Sequence, residues 1–184
     1  IAYAEPHYIP KPLFIPNDDS NKLVLQYHLD KIQAYAAWDS TFGDTNIVIG
    51  ITDSGVDTSH IDLKGNIKYN YADPIDGIDN DNDGFIDNYR GWDLADNDNA
   101  PIAKAVQYHG IYVTGLAAAV TNNGQGIAGV GFRSKFLPVK ISRDSDGAFI
   151  AAYEGIVYAA DHGCQIINCS WGGVYVASQF NQDV

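Results

Sequence analysis

Three short runs of almost uninterrupted apolar residues constrain the fold more than any other feature of this 184-residue sequence. The runs are NIVIGIT at 46–52, SKFLPVKI at 134–141 and CQIINCSW at 164–171. A strand of a parallel sheet has this composition when other layers cover both of its faces. The segment AFIAAYEGIVYAADHG, between the second and third runs, has helical periodicity and stops at Gly163. This order predicts an α/β fold with a doubly wound, mainly parallel sheet flanked by helices.

Two further segments are typical of helices. LDKIQAYAAWDSTFG predicts a short helix around Ile32–Trp38, ended by Gly43. VQYHGIYVTGLAAA predicts a helix with His109 at its start, and its small residues allow close approach to a neighbour, so we expect it to be buried. Its two apolar faces are formed by Ile111, Gly115 and Ala118 and by Val113, Leu116 and Val120.

Two polar residues occupy positions where such folds place functional groups. Asp53 follows the first apolar run, and functional residues of open α/β sheets lie at the carboxyl ends of strands. His109 stands at the start of the small-residue helix. Taken separately, Asp53 is also compatible with a side chain that caps a turn, and His109 with a hydrogen-bonded core residue.

The distribution of charge argues against some partners and favours another. The formal net charge is −12, which is unfavourable for nucleic-acid binding, and no apolar run approaches the roughly 18 residues of a membrane span. Residues 73–99 contain nine aspartates and a single basic residue, Arg90, so this loop carries most of the negative charge. A local excess of carboxylates favours a cation site.

The segment DGIDNDNDGFIDN begins like an EF-hand calcium loop, with aspartates at alternating positions followed by a glycine. Position 12 of that pattern requires a glutamate and is occupied by Arg90, so a true EF-hand is not expected. We predict a looser, structural Ca²⁺ site, because hard oxygen ligands favour a hard cation. A solvated cluster of Asp and Asn turns is the alternative. The predicted ligands are Asp79, Asp81, Asp83 and Asp87.

Several motifs resemble those of the subtilases, the subtilisin-like serine proteases, in the family's order. ITDSGVD around Asp53 resembles the family's Asp motif, and HGIYVTG from His109 resembles its His motif. IINCSWGG resembles its substrate-binding strand, and GIAGVGFRSKFLPVKI and YAADHGCQIINCSWGG fit the intervening elements. The resemblance covers essentially residues 22–184 and implies a subtilisin-like fold, of which the first part is present.

The resemblance also implies roles for particular residues. In an Asp-His-Ser triad, Asp53 would orient His109, and His109 would act as the general base for a serine. Ser170, Trp171 and Gly172 would line the cleft, where an extended polypeptide substrate pairs as an added strand. A structural calcium ion and secretion are further expectations from the family.

The sequence departs from the family pattern at some positions. The motif after His109 has Ile111, Tyr112 and Thr114 where the family usually has Thr, His and Ala. The nucleophilic serine motif and the oxyanion-hole asparagine are missing, and Asn168 belongs to the substrate-binding strand instead. We therefore expect residues 18–184 to be the amino-terminal part of a catalytic domain, inactive by itself, with an acidic insertion at 73–99.

Residues 1–17 form a proline-containing lead-in, EPHYIPKPLFIPN with four more residues before it, which we predict to be extended and poorly packed. AEPHY at 4–8 resembles the end of a subtilase propeptide, the segment that acts as an intramolecular inhibitor. Maturation would then occur between Tyr8 and Ser20. An ordinary flexible terminus is the alternative.

The sequence is also compatible with other interpretations. A non-catalytic, subtilase-like module that binds calcium or peptide would explain the departures, and a calcium-dependent adhesion domain would explain the acidic loop but not the Asp and His motifs. Cys164 and Cys169 are five residues apart on a predicted strand, where a bridge is geometrically poor. We expect two buried or half-buried thiols, either of which could pair with a cysteine outside this chain.

Overall fold

The computed structural model describes residues 13–104 and 107–172. Its helices are α1 (Ser20–Leu23), α2 (Tyr27–Lys31), α3 (Ala34–Trp38), α4 (His109–Ala118) and α5 (Ala152–Asp161), with a short 3₁₀ turn at Lys64–Asn66. Its strands are β1 (Val48–Asp53), β2 (Trp92–Asp93), β3 (Lys135–Lys140) and β4 (Ile166–Asn168).

The four strands form one parallel sheet in the order β2-β3-β1-β4. Val48 is paired with Lys135 of β3, and Ile49 is paired with Ile166 of β4. The three apolar runs therefore became β1, β3 and β4, and all six residues of β1 are buried. Parallel neighbours need a crossover, and α4 and α5 lie in the connections.

Helices cover both faces of the sheet. On one face, α5 contributes Tyr158 and Ala159 to a cluster with Leu137 and Val139 of β3. On the other face, Ala118 of α4 packs with residues of β1 and β3; the core residues of this layer include Ile49, Ile51, Phe136 and Ala118. The predicted doubly wound α/β architecture is confirmed.

A third apolar cluster lies beside the sheet and includes the lead-in. Trp38 and Phe132 form its centre, and Phe14 packs against it with ring-centroid distances of 4.9 Å to Phe42 and 5.9 Å to Phe132. Pro16 is buried as well. The expectation of a poorly packed lead-in is therefore wrong for Phe14 and Pro16, whereas Leu13, Ile15 and Asn17 are exposed. Residues 1–12, including AEPHY, lie outside the described residues.

Some predicted elements differ in their bounds. The helix predicted around Ile32–Trp38 is interrupted, because Gln33 has a left-handed backbone (φ 57°) that separates α2 from α3. The strand β2 lies inside the segment that was expected to be an acidic loop. The helix α4 begins at His109 as predicted, but it is buried on one face only: Leu116 is 47% exposed and Tyr112 is 67% exposed.

Two remaining expectations concern the cysteines and membranes. Cys164 is half-buried as predicted, but Cys169 is exposed, because it follows the last residue of the edge strand β4; both thiols are free. Among the helices of residues 13–104 and 107–172, none is both long enough and apolar enough to span a bilayer.

Candidate active site

Asp53 is the last residue of the central strand β1, and it is completely buried. The main-chain N–H of Ser54 donates to its Oδ1 at 2.7 Å. A carboxylate at the end of a buried strand, with one oxygen already held by a backbone donor, has little freedom to rotate. The strand thus presents a fixed negative charge at the carboxyl edge of the sheet.

His109 lies directly against this carboxylate. Its Nδ1 is 2.8 Å from Oδ1 and 3.0 Å from Oδ2 of Asp53. The imidazole is 57% exposed, whereas the Asp53 side chain is 1% exposed. A neutral imidazole that donates from Nδ1 has its lone pair on Nε2. The pair is therefore arranged to accept a proton at Nε2 of an imidazole that is more than half exposed.

Glycines allow the start of α4 to approach the end of β1 this closely. A Cβ atom added to Gly110 would lie 2.3 Å from the carbonyl oxygen of Gly55 and 3.2 Å from Oδ1 of Asp53. Gly55 itself has a φ of 95°, a conformation that side-chain-bearing residues rarely adopt. The contact between Asp53 and His109 depends on this close packing of Gly110, in α4, against Gly55, just after β1.

The three predicted substrate-binding residues follow β4, at the edge of the sheet next to β1. Ser170 and Gly172 are exposed. Trp171 is half-buried, and its indole N–H donates to the carbonyl oxygen (3.0 Å) and the hydroxyl (3.1 Å) of Thr52. The indole is thus held against the end of β1, one residue before Asp53.

The acidic loop brings only part of the predicted calcium set together. Oxygens of Asp79 and Asp81 lie within 4.8 Å of one another and of Asp73, a residue that the sequence pattern did not include. Asp73 precedes the alternating aspartates by six positions, so only the overall charge of the loop pointed towards it.

The other two predicted ligands have different partners. Asp83 contacts His162 Nε2 at 2.9 Å and accepts a hydrogen bond from the side chain of Asn88. Asp87 accepts hydrogen bonds from the main-chain N–H groups of residues 76 and 77. Asp87 thus stabilises the fold of the loop, and Asp83 attaches the loop to His162 at the end of α5.

A second acidic cluster contains a buried lysine that sequence reasoning missed. Lys140, the last residue of β3, is completely buried, and its Nζ donates to Asp93 (2.6 Å), Asp144 (2.8 Å) and the carbonyl oxygen of Ser142 (2.6 Å). Burial alone lowers the pKa of Lys140, but the bonds to Asp144 and Asp93 outweigh it and hold the pKa above its ordinary value. Its ammonium group offsets part of the negative charge of this cluster, and Lys140 is the register partner of Asp53 in the sheet.

Comparisons with known proteins agree with this geometry. The sequence model of the subtilase family matches residues 44–183, a range that contains Asp53, His109 and the segment after β4. In solved structures, a protease from Pseudoalteromonas arctica has a TM-score of 0.64 at 28% identity, over 91% of this chain and 54% of that one.

The similar curated proteins are named proteases. The thermophilic serine proteinase of Bacillus sp. strain AK1 is 34% identical over 94% of this chain, and thermitase of Thermoactinomyces vulgaris is 37% identical over 86%. The halolysin-like extracellular serine protease of Natrialba magadii is 32% identical over 94% of this chain. The chain spans 37%, 49% and 29% of the lengths of these three relatives. By its sequence and its fold, this chain belongs to the subtilase family.

Proposed function

We propose that this chain is the amino-terminal part of the catalytic domain of a serine endopeptidase, in which Asp53 and His109 are two members of an Asp-His-Ser triad. The observation that carries the proposal is the contact of 2.8 Å between His109 Nδ1 and the buried Asp53 carboxylate. The serine-protease names of the relatives support it. The nucleophilic serine is supplied from outside these 184 residues.

The geometry supports different roles for Asp53 and His109 in the reaction. The Asp53 carboxylate fixes the tautomer and orientation of the imidazole and stabilises the imidazolium that forms during the reaction. His109 Nε2 takes the proton of the serine hydroxyl as the serine attacks the peptide carbonyl, and then donates it to the leaving amine. In this mechanism the proton is carried by His109 and is not passed on to Asp53.

The test is site-directed substitution in the protease that contains this chain. Asp53→Asn and His109→Ala each lower kcat for a peptide substrate by about 10⁴-fold or more, since each disables the base. Asp57→Asn, which changes a carboxylate four residues away, leaves kcat unchanged. Hydrolysis that persists without His109 would contradict its role as the general base, whereas a wild-type protein that does not cleave peptides would identify a non-catalytic subtilase-like module.

We also propose that the substrate is a polypeptide, bound in extended form along Ser170, Trp171 and Gly172. Ser170 and Gly172, which follow β4, are exposed, as pairing with an added strand requires. Residues 1–17 would be the end of a propeptide that inhibits the enzyme in cis. Secretion is supported by a relative whose name describes it as extracellular.

Amino-terminal sequencing of the mature protein tests the propeptide: a first residue between Tyr8 and Ser20 is expected, and a mature protein that retains Ile1 contradicts it.

A structural Ca²⁺ ion in the acidic loop completes the proposal. The carboxylates of Asp73, Asp79 and Asp81 converge and would repel one another without a cation, and their oxygens suit a hard ion. Asp83 and Asp87 would stabilise the conformation of the acidic loop through their hydrogen bonds.

Chelation tests the ion. A ligand that binds only the folded form at 100 times its Kd adds about 2.7 kcal/mol to stability, so EDTA lowers the Tm of the protein. Asp79→Asn combined with Asp81→Asn removes this response, and Asp161→Asn, an exposed carboxylate outside the loop, retains it. A Tm that is independent of calcium and EDTA would leave the loop as a solvated cluster.

A further inference from the structure

The helix that carries His109 has no capping side chain of its own. Tyr108 occupies the N-cap position of α4 and makes no side-chain hydrogen bond to the first turn. The first N–H groups of a helix have no partners within it and need them from elsewhere, above all where they are buried. Gly110, whose N–H belongs to this first turn, is buried.

Ser54 supplies the missing partner from the neighbouring strand. Its Oγ accepts a hydrogen bond from the N–H of Gly110 at 3.0 Å and donates one to the carbonyl oxygen of Gln107 at 3.1 Å. The residue is only 4% exposed. A hydroxyl has one proton to donate and lone pairs to accept, so both contacts are satisfied by the same oxygen.

The carbonyl group that accepts the hydrogen bond of Ser54 belongs to Gln107, whose side chain is itself hydrogen-bonded. The side-chain amide of Gln107 donates to the carbonyl oxygen of Arg143 at 3.3 Å, and its oxygen accepts from the hydroxyl of Ser142 at 3.1 Å. The residues on either side of His109 are therefore connected to the segment after β3 and to the end of β1. The backbone at the start of α4 is therefore held both by Ser54, after β1, and by residues 142 and 143, after β3.

Ser54 directly follows Asp53, so two consecutive residues hold the same part of α4. Asp53 contacts the imidazole of His109, and Ser54 contacts the main chain just before and just after it. We propose that Ser54 is a positioning residue for His109, whose hydroxyl caps α4 from the end of β1 and fixes the imidazole against Asp53. The inference rests on the proposed role of His109 as general base.

The experiment compares Ser54→Ala with Ser54→Thr in the protease that contains this chain, with activity expressed per mole of titrated, folded enzyme. Alanine loses both hydrogen bonds, and we expect kcat to fall by about 10- to 100-fold with KM within about 3-fold, as for a small misplacement of a reacting group. Threonine keeps the hydroxyl and restores kcat to within about 3-fold of wild type. Ser59→Ala removes an exposed hydroxyl that donates to Asp57 at 2.7 Å, and it is the matched control.

A second measurement reports on the imidazole directly. The proton shared between His109 Nδ1 and Asp53 gives a downfield proton NMR resonance, which is expected in wild type and Ser54→Thr and broadened by exchange in Ser54→Ala. Wild-type kcat and an unchanged resonance in folded Ser54→Ala overturn the inference, as does a folded threonine variant as slow as alanine. Full activity of His109→Ala would refute the proposed function instead, whatever the behaviour of Ser54.

Discussion

At the scale of single residues, burial determines the protonation of Tyr158. The tyrosine is 3% exposed, its ring stacks on His162 with a centroid distance of 3.7 Å, and its hydroxyl has no hydrogen-bond partner among the described residues. Burial raises the pKa of Tyr158 well above its ordinary value, the charge of Asp83 adds to the effect, and the nearby side chain of Asn88 opposes it only in part. The phenol therefore stays neutral in the folded protein at pH values where it ionises in the unfolded chain.

This difference predicts a loss of stability in alkaline solution. Because the folded state favours the protonated phenol, the contribution of Tyr158 is fully present below the unfolded pKa of 10.0 and is lost as the pH rises above it. Tyr158→Phe should cost less than about 1 kcal/mol at pH 8, since no hydrogen bond is broken, and should flatten the fall of Tm between pH 9 and about 11. Thermal unfolding followed by circular dichroism measures both. Parallel Tm curves for the two proteins would contradict the assignment.

At the scale of secondary-structure elements, Lys140 joins three parts of the carboxyl edge of the sheet. It ends β3, its ammonium group contacts Asp93 of β2, and it also contacts Asp144 in the segment that follows. Lys140 is completely buried, and the Asp93 side chain is 1% exposed. Removing one partner of such a pair leaves a buried charge without compensation.

Lys140→Met should therefore destabilise the protein by about 3–5 kcal/mol in urea unfolding. Lys104 provides the matched control, since it also pairs with Asp144, at 3.1 Å, but is 44% exposed. Lys104→Met should cost less than about 1 kcal/mol, because exposed pairs contribute little. Equal losses for the two variants would show that burial does not determine the strength of the cluster. Combining Lys140→Met with Asp93→Asn should recover part of the loss.

The helices and strands differ in how well the sequence alone predicts them. β1, β3, β4, α4 and α5 were predictable because each is long enough to have a periodicity or a continuous apolar run. β2 was missed because two residues have no period, and the break at Gln33 because its residue type does not signal a positive φ. Asp53 and His109 were found from their positions at the ends of elements. Lys140 was missed because a lysine at a strand end is ordinarily solvated, and only the packed carboxylates around it permit its burial.

At the scale of the whole molecule, the end of the lead-in and the residue after it are hydrogen-bonded to a loop that is distant in the sequence. The N–H of Asn17 donates to the side chain of Asn122, 105 positions away, and the buried Asp18 accepts from the N–H groups of Asn122 and Asn123. Phe14 adds its aromatic contacts to Phe42. Phe14, Asn17 and Asp18 therefore contact parts of the chain that are distant in sequence.

Phe14→Ala should lower the free energy of unfolding by about 2 kcal/mol, less than the 3–5 kcal/mol of a fully buried phenylalanine. Leu13→Ala is the adjacent control: Leu13 is 53% exposed, and its removal should change stability by no more than about 0.5 kcal/mol. Chemical denaturation of the two variants is the measurement. A Phe14 variant as stable as the Leu13 variant would mean that the aromatic contact does not hold the lead-in.

The position of β1 in the sheet has a consequence for how the chain acquires its structure. β1 is synthesised first among the strands, yet both of its neighbours, β3 and β4, come much later in the chain. At ribosomal rates of about 5–20 residues per second, an interval of roughly 90 residues leaves β1 without a partner for on the order of 5 to 20 s. During that time its apolar side chains and open backbone edges can associate with other nascent chains, so the yield of native protein depends on what shields this one segment while translation proceeds.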